Sequence, residues 1–216
     1  VGAFTATLVL LPMKSWVEAD SVLMNLSVLG LAILLAMLVT GILGWAFERI
    51  IIRPVYGLHL KQILITMGGM IVGEELIKLV WGPVPIALPL PETLRGSFVI
   101  GEAIVEKFRV LATVIGAVVF VVLAWVLART KLGLLIRAGV ENREMVEALG
   151  YRIERLFVGV FVAGSALAGL GGVLWGLYQQ SVTPQIGAQV TVLIFIVIII
   201  GGLGSTLGAL VGSLLV

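Results

Sequence analysis

Apolar residues in this chain come in long uncharged runs separated by short charged segments. Val22–Phe47 passes 26 residues without a charge. As an α-helix that run would extend about 39 Å, enough to cross a hydrocarbon core of ~30 Å with tilt. Val110–Ala128 and Leu156–Tyr178 are further uncharged runs, and Gln62–Trp81 reads as a span that carries Glu74, Glu75 and Lys78. Val1–Met13 is short and reads as the outer half of a span. Val190–Ile200 is intensely apolar and breaks at Gly201-Gly202-Leu203-Gly204-Ser205 before apolar character resumes to Val216. The pattern predicts an all-α, polytopic membrane bundle of about six segments with a glycine-broken last span, forming one domain over 1–216.

The segments between the runs are polar. Lys14–Ser21 holds Lys14, Glu18 and Asp20, and Glu48–Lys61 holds Pro54, which is expected to break any helix. Gly82–Arg109 starts with Pro83, Pro85, Pro89 and Pro91, which favour an extended path. Arg129–Arg155 is a long polar interruption, and Gln179–Gln189 is neutral.

Composition turns this pattern into a statement about solvent. The chain is 60% hydrophobic and 12% charged, whereas soluble domains carry roughly 25% charged residues. It cannot cover its surface with polar groups, so lipid is expected to cover most of it. Nine of the lysines and arginines lie in 48–61 and 129–155, and four in 14–21, 82–109 and 179–189. Alternating spans put these two sets of loops on opposite sides, and the positive-inside rule assigns the richer set to the cytoplasm. The net charge of +2 is spread over such loops and forms no nucleic-acid face. Cysteine is absent, so there is no disulfide framework and no thiolate metal site. The first residues lack the basic flank of a signal peptide.

Within the long polar stretch, Glu141–Gly150 has helical character. Met145, Val146, Ala148 and Leu149 fall on one arc of a wheel, opposite Arg143, Glu144 and Glu147. Asn142 is placed to cap the start, and Gly150 to end it in a left-handed turn. A two-turn helix is unstable alone in water, so its apolar face must rest on the membrane surface or in a groove of another protein.

Glycine recurs in the last third. Gly164, Ala168, Gly172 and Gly176 are spaced by four, as are Gly204, Gly208 and Gly212 beside Gly201, Ser205, Ala209 and Ser213. Small residues at this spacing let helices approach closely in lipid. Gly201–Ser205 marks a break, tolerated within a membrane where it is buried in protein or lines a wet path. A tight turn between two half-spans near the inner surface is the alternative.

No catalytic constellation is present. His59 is the one histidine and Asp20 the one aspartate, and neither lies in an apolar run. Ser165 and Ser205 have no base near them in sequence, and there is no phosphate-binding Gly-x-x-x-x-Gly-Lys-[Ser/Thr]. Accordingly no catalytic, cofactor or metal residue is assigned. Glu74, Glu75 and Lys78 would lie about 18–24 Å up their helix from Gln62. There Glu74 and Lys78 form an i, i+4 pair able to neutralise itself.

From Gly133 onward the chain reads Gly-Leu-Leu-Ile-Arg-Ala-Gly-Val-Glu-Asn-Arg-Glu-Met-Val-Glu-Ala-Leu-Gly, then Gly-Ser-Ala-Leu-Ala-Gly-Leu-Gly-Gly-Val-Leu-Trp-Gly, Pro184-Gln-Ile-Gly and Gly-Gly-Leu-Gly-Ser-Thr-Leu-Gly-Ala-Leu-Val-Gly. In this order the motifs resemble the membrane subunits of branched-chain amino acid ABC importers, of the LivH type. Arg53-Pro54-Val55-Tyr56 and Ala87-Leu88-Pro89 fit the same family. The resemblance implies a multi-pass permease of a prokaryotic inner membrane that forms the path for branched-chain or related amino acids. Its implied partners are a second permease subunit, cytoplasmic ATPases and an extracytoplasmic solute-binding protein. It also makes Glu141, Asn142, Arg143, Glu144, Met145, Ala148, Leu149 and Gly150 the ATPase-coupling residues within loop 129–155. Gly201, Gly202, Gly204, Ser205, Gly208 and Gly212 are the expected packing or path residues. Family members begin with further spans and continue past Val216, so the chain is expected to be a fragment. The alternatives are a permease for urea or amide solutes and a secondary carrier drawing on Glu74, Glu75 and Lys78.

Overall fold

A computed structural model describes residues 1–17, 21–55, 59–100, 103–202 and 204–216. Glu18, Asp20, Tyr56 and Leu203, which figure in the loop and motif readings above, lie outside the described residues, as does the side chain of His59.

The long uncharged runs are helices. Helix α1 covers Gly2–Leu10, α2 Lys14–Val17, α3 Val22–Phe47, α4 His59–Trp81 and α5 Lys107–Arg129. The polar stretch that follows holds α6 (Lys131–Glu141) and α7 (Arg143–Ala148). Helix α8 runs over Ile153–Gln179, α9 over Ile186–Gly201 and α10 over Thr206–Leu215. Among the described residues three helices are long and apolar enough to cross a membrane: α3 with its extension to Val55, α5 and α8. The bent pair α9 and α10, taken as one span, brings the number to four. Helix α4 is 23 residues long but carries Glu74, Glu75 and Lys78, and α1 has only nine residues.

The core forms where α1 lies against α3 and α8. Eight of the nine residues of α1 are buried, with Phe4 and Leu10 fully so. Within 1–13, read from the sequence as the outer half of a span, α1 is the most enclosed element. Small residues make this possible. A Cβ on Gly2 would stand 2.5 Å from the carbonyl oxygen of Gly169, so the two backbones touch at a distance that excludes any side chain. One on Gly169 would meet Thr40 Oγ1 at 2.1 Å, and one on Gly44 would meet Ser165 Oγ at 2.2 Å. The buried hydroxyls of Thr5 and Thr7 donate to the carbonyls of Gly2 and Phe4, at 2.7 and 2.6 Å, so they enter the core satisfied.

One loop reading changes. Pro54 does not end the helical path at Glu48: a π turn spans Glu48–Ile52 and a 3₁₀ turn Arg53–Val55, with Glu48 fully buried. The missing N–H of proline is tolerated where the α ladder is already interrupted. The proline-rich segment is extended as expected and is packed, not loose: Leu88, Leu90 and Pro91 are buried. Strand β1 (Ile86–Ala87) pairs antiparallel with β4 (Ser181–Val182), and β2 (Ser97–Ile100) pairs with β3 (Ala103–Glu106).

These contacts sort the loops by end. Leu88 N–H donates to Gln180 at 3.0 Å, Asn25 Nδ2 donates to Thr93 Oγ1 at 3.1 Å, and Lys14, Arg95 and Gln180 border one hollow of about 360 Å³. Lys14, residues 86–95 and residues 180–182 therefore share one end of the bundle. Arg53 donates to Glu154 at 2.8 Å, which puts the turn Arg53–Val55 and the start of α8 together at the other.

Candidate functional site

The polar end is built on sharp turns. Thr130 accepts from the N–H of Gly133 at 3.5 Å and so caps α6. A Cβ on Gly133 would lie 2.0 Å from the carbonyl of Leu127, so only glycine allows α6 to fold back this tightly from α5. Helix α6 then meets the start of α8 at Gly139, where an added Cβ would fall 2.5 Å from Ile153 Cδ1.

Helix α7 follows from local sequence at both termini. The Asn142 side chain accepts from the N–H of Met145 at 2.9 Å. Gly150 takes φ +86°, its N–H donating to Glu147 at 2.9 Å while Tyr151 N–H donates to Val146 at 3.3 Å. This is the paired closure of a Schellman motif. Glu141 belongs to the end of α6, so the helical segment begins two residues later than the stretch Glu141–Gly150 suggests.

The apolar arc is divided. Val146 is 4% exposed, whereas Met145 and Leu149 are 62% and 67% exposed. Ala148 is exposed as well. On the polar side Arg143 donates to Glu147 at 2.9 Å and to Glu154 at 3.4 Å. Val146 thus anchors the helix to its own chain and leaves Met145, Ala148 and Leu149 as an outward apolar face. Glu144 is exposed beside them.

The glycines at the break act in two ways. Helices α9 and α10 meet at a bend of 119°. Gly202 and Gly204 take φ +83° and +85°, a conformation that other residues resist, and neither has an atom near its would-be Cβ. Gly201, Gly208 and Gly212 instead give close approach. A Cβ on Gly208 would be 1.7 Å from the carbonyl oxygen of Gly201, and one on Gly212 would be 2.6 Å from that of Val197. Ser205 caps α10, accepting from Gly208 N–H at 2.9 Å. The column Gly204, Gly208, Gly212 therefore splits, with Gly204 serving the turn and the other two the contact. The column Gly164, Ala168, Gly172, Gly176 splits too. Gly164 has open space and Ala168 is exposed, while Gly169, Gly172 and Gly176 face α1 and α3. Steps of four advance about 40° beyond a full turn, so a column of four such residues drifts off one face.

Glu74 and Glu75 both reach Lys78, at 3.0 and 2.8 Å. The three close on one another along a single helix, as the i, i+4 spacing suggested. Among the described residues no group of His, Cys, Asp or Glu is arranged to hold a metal ion.

Residues 1–216 match the family described as branched-chain amino acid transport system, permease component. The protein of Escherichia coli (strain K12) named high-affinity branched-chain amino acid transport system permease protein LivH is 30% identical over 188 residues, which is 83% of this chain and 60% of that protein. BraD of Pseudomonas aeruginosa, which bears the same description, is 31% identical over 186 residues, again 83% of this chain and 60% of that protein. The Methanocaldococcus jannaschii protein named "probable branched-chain amino acid transport permease protein LivM" is 28% identical over 197 residues, 87% of this chain and 55% of that protein. The chain thus spans about 60% of the length of the first of these relatives. No solved structure matches it.

Proposed function

Since this chain belongs to the branched-chain amino acid transport permease family, we propose that it is the membrane part of an ATP-driven importer that docks a cytoplasmic ATPase through α7. One observation carries the reading: Met145, Ala148 and Leu149 stand outward on a capped helix whose remaining apolar residue, Val146, is held inside. A helix lying on lipid has no need to be fixed at both termini and tied by Arg143 to a neighbouring element. A helix presented to a protein groove gains from being preformed, because less freedom is lost on binding.

In this reading 48–61 and 129–155 are cytoplasmic, and the end holding the proline-rich segment meets an extracytoplasmic binding protein. The relatives' names point to branched-chain amino acids as the solute, and the likeness to both LivH and LivM points to a second permease subunit. Gly201–Ser205, where α9 turns into α10, is the proposed bend beside the path. A permease subunit is not itself an enzyme, so hydrolysis of ATP falls to the partners.

Sidedness gives a direct test, because the sequence has no cysteine. In a cysteine-free full-length permease, Val84→Cys and Tyr151→Cys place thiols at residues that are 68% and 52% exposed. An impermeant thiol reagent should label Val84→Cys on intact cells, and Tyr151→Cys only after the membrane is opened. Labelling of both from outside would overturn the arrangement.

The energy source is tested by uptake. The full-length permease, reconstituted with its partner permease, ATPases and binding protein, should accumulate labelled leucine only with ATP on the ATPase side. Ionophores that collapse proton and sodium gradients should leave the rate unchanged. Uptake that follows the gradients and fails in Glu74→Gln would instead select the carrier.

A further inference from the structure

Glu154 stands where three elements meet. It lies in the first turn of α8, where a carboxylate is favoured by the helix dipole. One of its oxygens accepts from Arg53 at 2.8 Å, and the other accepts from Arg143 at 3.4 Å. Arg53 belongs to the 3₁₀ turn that continues α3, and Arg143 opens α7. Beyond these turns α3 and α8 pack closely, with Ser165 against Gly44 and with Thr40 and the Ala36 carbonyl against Gly169. One carboxylate therefore ties the proposed docking helix to the ends of the two helices that pack most intimately.

Stability is a weak reason for such a group. Arg53 and Glu154 are roughly half exposed, and solvent screening leaves pairs of this kind little effect on stability. Geometry is a better one. A carboxylate shared between guanidinium groups from separate elements fixes their relative placement, because each oxygen is committed to one partner. Helix α7 has six residues and, apart from Val146, few inward groups of its own. The segment bearing Arg53 follows a π turn, a place where a helix is readily re-registered.

We propose that Glu154 is a positioning residue that passes movement of α7 to α3 and α8, and so ties ATP hydrolysis to opening of the bundle. It rests on the docking reading above but concerns transmission, not attachment. Without Glu154 the apolar face of α7 still seats in the ATPase, yet its displacement reaches the membrane helices only through Val146 and α6.

The test uses the full-length permease reconstituted with its partner permease, ATPases and binding protein. Glu154→Gln should keep its ATPase on purification while solute moved per ATP hydrolysed falls about 5- to 10-fold, the lower part of the range for coupling between sites. Arg53→Gln removes the same contact from the α3 side, and serves where Glu154→Gln does not accumulate in the membrane. The double variant should lose no more than the worse single, since Arg53→Gln breaks one of the two contacts that Glu154→Gln already removes. Wild-type coupling in both single variants, or losses that multiply in the double, would overturn the proposal. Loss of the ATPase from Glu154→Gln would also overturn it, by showing that the residue only holds α7 in shape. Leu149→Glu is read alongside. If Leu149→Glu keeps its ATPase while Glu154→Gln still uncouples, the docking face is wrong and the role of Glu154 stands.

Discussion

Leu149→Glu in the full-length permease is expected to strip the ATPase from the complex while the permease stays folded. Leu149 is 67% exposed, so the change disturbs little within the chain itself. In a groove its side chain would bury apolar area worth about 1.5–3 kcal/mol, and a carboxylate in its place would be desolvated without a partner. A loss of that size lowers an association constant by roughly 10- to 100-fold. Co-purification of wild type and variant with the ATPase reads the result. Equal recovery of ATPase in both would remove the case for docking through this face. Val146→Glu is the contrasting variant. Val146 is 4% exposed, so a carboxylate there should damage the loop and lower the yield of folded permease.

Gly208→Leu should have the other large effect, on the fold of the last third. The new Cβ would sit 1.7 Å from the carbonyl oxygen of Gly201, and no rotamer relieves a clash between Cβ and backbone. Helices α9 and α10 must separate. Overpacking of this kind costs about 1–3 kcal/mol, and more where backbone has to move. Thermal unfolding in detergent should report a melting temperature lower by about 2–4 °C for each kcal/mol lost. Gly204→Leu provides the comparison. Its Cβ meets open space, so the penalty is the φ of +85° alone, about 1–2 kcal/mol. A Gly208→Leu protein that melts with wild type would disprove the contact between α9 and α10. Sequence spacing suggested this column as a face for another helix. The helix it meets is the preceding one of the same chain.

The limits of the sequence reading can be traced to particular residues. Helix α3 begins at Val22 and its α-helical part ends at Phe47, the bounds of the uncharged run, although the helical path continues through the buried Glu48 to Val55. The cap at Asn142 and the turn at Gly150 were legible because each depends on residues three to five positions away. The strand pair 97–106 was not, since four-residue strands inside a proline-rich loop leave no periodicity of sufficient length. Nor was the enclosure of α1. Thirteen uncharged, mostly apolar residues look the same whether they face lipid or protein, and lipid and core are equally apolar.

By itself, then, the sequence determined what is local or one-dimensional. Runs of apolar residues set the helices, charged segments set their ends, and alternation assigned the loops to two sides. The ordered motifs marked the family. Tertiary structure decided what depends on partners distant in the chain: which glycines touch, which of Met145, Val146 and Leu149 turns inward, and that Arg53 and Arg143 share Glu154. Arg53 and Glu154 are 101 residues apart. Nothing in the spacing of two exposed charges records a meeting that exists only because α3 and α8 are packed side by side.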